Sequence, residues 1–113
     1  MSTLFSKRCA PMAPGASALK APQIETLMAE VPGWSVVGGE LTRTFKFKDY
    51  HESVAFVNAT VWISNAQDHH PEIELGYNKV KMRYSTHDVK GLSENDFICA
   101  AHISELLKEQ GTP

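Results

Sequence analysis

The sequence predicts an α+β fold: a two-layer sandwich in which a four-stranded antiparallel sheet, built of two hairpins, carries helices on one face. Three observations lead there. Stretches of two-residue alternation come in two pairs, each joined by a tight turn. Stretches of helical spacing separate and flank those pairs, in the order helix, strand, strand, helix, strand, strand, helix. A length of 113 residues with a hydrophobic fraction of 42% suffices for one core but not for two. A single domain is therefore expected over residues 21–113, behind an arm of residues 1–20.

The arm contains Pro11, Pro14, Gly15 and many small residues, and reads as flexible. Lys7, Arg8 and Lys20, with no acidic residue before Glu25, also fit a weak organelle-targeting segment. A plain tail on a cytoplasmic protein is the preferred reading. Pro22 suits a first helical turn, and Ile24, Leu27, Met28 and Val31 follow at helical spacing until Pro32-Gly33. Trp34–Val36 and Leu41–Lys48 flank Gly38-Gly39, a pair suited to a hairpin turn. In the second arm Leu41, Phe45 and Phe47 share the inner face, and Arg43 interrupts it, as expected near a sheet edge or a pocket mouth.

Asp49, with Glu52 three residues on, opens a long helix. Tyr50, Val54, Val57 and Val61 form its expected buried stripe, widened by Ala55, Ala59, Trp62 and Ala66. Next, Ile73, Leu75 and Tyr77 alternate with polar residues, as do Val80, Met82, Tyr84 and Thr86. A turn at Asn78-Lys79 would pair Tyr77 with Val80, Leu75 with Met82, Ile73 with Tyr84 and Pro71 with Thr86. Lys79, Lys81 and Arg83 form an outer basic row, read as a solvated sheet face. Ser93 and Asp96 then cap a last helix, which turns Cys99, Ala100, Ile103, Leu106 and Leu107 inward and stops at Gly111.

A net charge of −2 gives no basic excess, which argues against direct nucleic-acid binding. No apolar run approaches the ~18–20 residues of a membrane helix. Cys9 and Cys99 make neither a disulfide framework nor a metal knuckle, and read as reduced thiols.

The chemistry concentrates in Asp68-His69-His70-Pro71-Glu72 and Ser85-Thr86-His87-Asp88, which hold three of the five histidines. The second hairpin brings these two stretches together at its open end, beside the C-terminus of the long helix, whose partial negative charge favours a protonated imidazole. A metal site is disfavoured, because adjacent histidines on an extended segment point to opposite faces. A structural role, with imidazoles capping backbone groups, stays open. So does acid–base catalysis by imidazoles of different pKa.

A longer pattern bears on that choice. His69-His70-Pro71-Glu72, Tyr77-Asn78-Lys79-Val80, Ser85-Thr86-His87, Gly91-Leu92 and Asp96 stand in order and at set spacing. With Gly33-Trp34 and Phe45-Lys46-Phe47-Lys48-Asp49, they closely resemble the pterin-4a-carbinolamine dehydratases over roughly residues 22–108. The resemblance implies dehydration of 4a-hydroxytetrahydrobiopterin to quinonoid dihydrobiopterin and water, in tetrahydrobiopterin recycling, with no metal and no bound cofactor. It implies His69, His70 and His87 as the catalytic set, with His70 and His87 expected to face the 4a hydroxyl. Asp68, Pro71, Ser85, Thr86 and Asp88 are implied around the pterin, with Trp34 a candidate pocket wall and Asp96 an orienting or a capping residue. It also implies a homo-oligomer, dimer or tetramer, and a second role in the family as a dimerisation cofactor of a transcription factor, through helices. Asn65, Asn95 and Ile73-Glu74 depart from residues common in that family.

Overall fold

In a computed structural model of the protein, residues 3–108 are described. Three helices, α1 (Ala21–Met28), α2 (Tyr50–Gln67) and α3 (Glu94–Lys108), accompany four strands: β1 (Ser35–Val37), β2 (Glu40–Lys46), β3 (Glu72–Leu75) and β4 (Lys79–Tyr84). The strands form one antiparallel sheet in the order β1-β2-β4-β3, so the two hairpins meet through β2 and β4. The predicted α+β sandwich is the fold observed. The expected helix stop at Gly111 lies outside the described residues.

Alternation places Leu41, Phe45, Val80, Met82 and Tyr84 on the covered face, all nearly inaccessible to solvent. They pack against Phe56 of α2 and against Phe97, Ala100 and Ile103 of α3, in one hydrophobic core. A run of aromatic contacts crosses this core: Phe56 to Phe45 at 4.7 Å, Phe45 to Trp34 at 5.8 Å, Trp34 to Tyr84 at 6.0 Å. Arg43 does not stand at a sheet edge, since β2 is flanked by β1 and β4. Its guanidinium lies over Phe45 at 4.6 Å and lines a pocket beside Gly33, whose φ of +93° and 3.0 Å clearance to Arg43 suit only glycine.

Two expectations are corrected. The buried face of α2 is Ser53, Phe56, Thr60, Ser64 and Gln67, whereas Tyr50, Val61 and Trp62 are exposed. Small hydroxyl residues let the helix lie close to its neighbours. Their burial costs little where the hydroxyl bonds a carbonyl, as Ser53 does to Tyr77 and Thr60 to Val57. The second hairpin turns on Tyr77-Asn78, closed by Gly76 N–H to the Lys79 carbonyl, and pairs Leu75 with Val80 and Ile73 with Met82. Every predicted partner is thus displaced by two residues. Phe47 N–H and the Ser53 hydroxyl bond the carbonyls of Asn78 and Tyr77, so contacts from β2 and α2 choose the turn. A two-residue shift returns each side chain to its own face, and the alternation survives.

Residues 3–20, read as a flexible arm, lie along the body. Leu4 sits in the core at 1% exposure, and Leu19 N–H bonds the Leu92 carbonyl. Among the described residues, no helix is long and apolar enough to cross a membrane.

Candidate active site

The last turn of α2 ends in a Schellman motif. Asp68 takes up a left-handed conformation at φ 51°, its N–H reaches the Asn65 carbonyl, and His69 N–H reaches that of Ser64. The chain is thereby turned sharply, and His69 and His70 start the approach to β3. On the other strand, Thr86 and Gly91 form an isolated bridge that closes the short loop His87–Lys90. Extended past the strand ends, the observed register sets His70 opposite Ser85 and His69 opposite Thr86. These residues, with Asp68, His87 and Asp88, line one cleft.

The three histidines differ in surroundings. His70 and His87 are exposed at the rim, while His69 is largely covered. Its ring stacks on Tyr84 at 5.8 Å and 10° between planes, and its Nε2 lies 2.6 Å from Asp96 Oδ1. Asp96, at the start of α3, is fully buried. Its Oδ2 accepts from Ser93 N–H at 2.9 Å, which caps the helix, and from the Thr86 hydroxyl at 2.8 Å. The hydrogen bond to Asp96 raises the pKa of His69 above its ordinary 6.5, against an opposing effect of burial. Tyr84, buried beneath, has its phenol pushed upward by desolvation and serves His69 as a neutral, flat support.

Most of the residues expected at the site converge there. Pro71 follows the histidines, half-buried, just outside the cleft lining. Trp34 is a core residue at 4% exposure, bonded through its indole N–H to Ser104, and is separated from His69 by the Tyr84 ring. Tyr84 escaped notice as a site residue, although its place two residues before Thr86 on the inner face was the available signal. Among the described residues, no three His, Cys, Asp or Glu side chains come together as a metal-ligand set.

Comparison with known proteins follows the same residues. A family model described as pterin 4 alpha carbinolamine dehydratase matches residues 17–106. The chain belongs to that family. Provisionally named pterin-4-alpha-carbinolamine dehydratases of Nitrosospira multiformis and Hydrogenovibrio crunogenus are 46% and 47% identical to it. The alignments cover 93% of both chains in the first case, and 92% of this chain and 94% of its relative in the second. A crystal structure of a transcriptional coactivator/pterin dehydratase from Brucella melitensis superposes with a TM-score of 0.75 at 28% identity. It covers 80% of this chain and 98% of its own. In this dehydratase-family chain the segment before residue 17 lies outside the family match, yet it is docked. Cys9 Sγ lies 3.6 Å from Cys99 Sγ, and the hydrogen bond between the two thiols lowers the Cys9 pKa while raising that of the buried Cys99.

Proposed function

We propose that this chain dehydrates 4a-hydroxytetrahydrobiopterin to quinonoid dihydrobiopterin and water by histidine acid–base catalysis, as a step of tetrahydrobiopterin recycling. The reaction breaks the C4a–O bond and removes the proton on N5, forming C4a=N5. The leaving oxygen therefore needs a proton and N5 must give one up, with no net proton exchange. A protonated and a neutral imidazole in one cleft meet both needs.

The observation that carries this reading is the 2.6 Å contact of His69 with buried Asp96 beside the two exposed histidines. The carboxylate favours the imidazolium, and with Nε2 engaged, Nδ1 is the nitrogen left to a substrate. His69 is thus the proton donor to the 4a hydroxyl, and the rim histidines His70 and His87 accept the N5 proton. This departs from the expectation that His70 and His87 both face the hydroxyl. Asp68, Ser85, Thr86 and Asp88 frame the pterin edge.

The test follows 4a-hydroxytetrahydropterin breakdown by ultraviolet absorbance. The expected result is wild-type acceleration that falls about 10²–10⁴-fold in folded His69→Ala, and likewise in a His70→Ala/His87→Ala double variant. A well-folded wild type that leaves the spontaneous rate unchanged refutes the reading.

A second reading, a protein-binding cofactor of a transcription factor, is favoured by the open apolar face of α2, where Trp62 is 81% exposed. The coactivator description of the Brucella melitensis structure points the same way. Trp62→Glu separates the two: it is expected to abolish association through α2 while leaving dehydration intact.

A further inference from the structure

The two cysteines of the chain are in contact although 90 positions separate them in sequence. Cys99 lies on α3, one turn after Asp96, and is inaccessible to solvent. Cys9 belongs to the arm and is half-buried. It lines an open cavity of about 260 Å³, together with Gln67, Asp68 and His69. One thiol of the pair is thus within reach of a small solute, and its partner lies 3.6 Å away in the core.

The contact is held in place by the arm's own anchors. Cys9 N–H donates to the side-chain carbonyl of Gln67 at 2.7 Å, and Gln67 is buried at the end of α2. Asn95 accepts the N–H of Ala10 at 3.1 Å and donates to its carbonyl at 2.7 Å. Upstream, Leu4 is buried in the core. These bonds fix the backbone around Cys9, so the two sulfurs meet without further ordering of the chain. The surroundings also favour a thiolate at Cys9. The hydrogen bond with Cys99 lowers its pKa and the charge of His69 acts in the same direction, against burial and Asp96. Cys99 is pushed the other way and stays protonated.

We propose that Cys9 and Cys99 are a peroxide-reactive dithiol, in which Cys9 is the attacking and Cys99 the resolving sulfur. The substrate class is a small hydroperoxide, of which hydrogen peroxide is the simplest. The Cys9 thiolate attacks one peroxide oxygen. The S–O bond forms as the O–O bond breaks, and the departing hydroxide takes up the proton that the thiol had released. Cys9 is thereby oxidised to a sulfenic acid and the peroxide is reduced to water. The Cys99 sulfur then attacks the Cys9 sulfur: the S–S bond forms, the S–O bond breaks, and hydroxide leaves with the Cys99 proton as a second water. Two thiols and one hydrogen peroxide give one disulfide and two waters. The product ties the arm covalently to α3 beside His69. This chemistry is independent of the dehydratase reading.

The experiment treats the reduced full chain with hydrogen peroxide near neutral pH, and follows intact mass, thiol alkylation and a non-reducing peptide map. Both thiols are expected to disappear together, with one link joining the Cys9 and Cys99 peptides of the same chain, and dithiothreitol should restore both. Because the link closes a long loop, the oxidised chain should melt roughly 5–10 °C above the reduced one. In Cys99→Ala, which loses only the resolving sulfur, Cys9 should stop at a sulfenic acid that dimedone traps. In Cys9→Ser, Cys99 should stay unreacted and peroxide should leave the Tm unchanged. The wild type alone suffices to overturn the proposal: thiols that persist in excess peroxide, links formed only between chains, or Cys9 driven to sulfinic acid with Cys99 still free would each do so.

Discussion

Asp96 shows how much one side chain decides. Sequence position left capping and orienting as rival roles, and the structure contains both, because its two oxygens divide the work. Oδ2 serves Ser93 N–H and the Thr86 hydroxyl, and Oδ1 serves His69. Asp96→Ala strands a buried N–H and a buried hydroxyl, so it is expected to cost about 3 kcal/mol in urea unfolding. Asp96→Asn keeps the shape but removes the charge. The His69 pKa then drops, and the alkaline limb of the kcat profile moves to lower pH. A profile that stays in place would remove His69 as the acid. Stability has its own signature. A folded pKa raised above 6.5 means the contact contributes fully below that pH and is lost as pH rises through the folded value. Urea midpoints should therefore decline on the alkaline side in wild type, and decline less in Asp96→Asn.

At the scale of elements, α2 tells the most about what packing can override. Apolar residues lie nearly all round it, so periodicity pointed to Val54, Val57 and Val61, while the tertiary fit buried Phe56 among small hydroxyl residues. Phe56→Ala should cost about 3–5 kcal/mol by opening the contacts to Phe45 and Phe47. Val61→Ala, on the exposed face, should change stability by no more than about 0.5 kcal/mol in the monomer. The end of the same helix stores a small strain. Asp68 holds a left-handed backbone that glycine adopts more cheaply. Asp68→Gly is expected to raise thermal stability slightly and to weaken substrate binding, a divergence measured by a melt beside KM. Improvement in both would show that the carboxylate takes no part in the site.

For the whole molecule, the apolar surface left open matters most. Val36 and Val37 on one edge strand, Ile73 and Leu75 on the other, and Val61 with Trp62 on α2 are all exposed in the isolated chain. Edge strands offer unpaired backbone groups to another copy, and such faces on one small domain favour self-association. The expected homo-oligomer is therefore predicted to use them. Light scattering should give a mass of at least twice the 12.5 kDa chain, reduced by Leu75→Lys or Trp62→Glu. A wild-type monomer at micromolar concentration would contradict this. The docked arm belongs to this scale too, since it joins the single helical turn Leu4–Ser6 to α2 and α3 through contacts far apart in sequence.

The sequence by itself determined the order of elements, the inner face of each central strand, the capping of α2 and α3, and the family, because alternation, caps and spaced motifs are local properties. It also brought the three histidines to one end of a hairpin, since that convergence needs only antiparallel pairing. Only the tertiary structure decided the rest. The strand order, the turn at Tyr77-Asn78, the buried face of α2, the withdrawal of Trp34 into the core and the docking of the arm all depend on which surfaces meet. The distinction among the histidines is of the same kind. Local sequence makes His69 and His70 neighbours, but the burial of Asp96 beneath one of them gives only that one a fixed partner and a raised pKa.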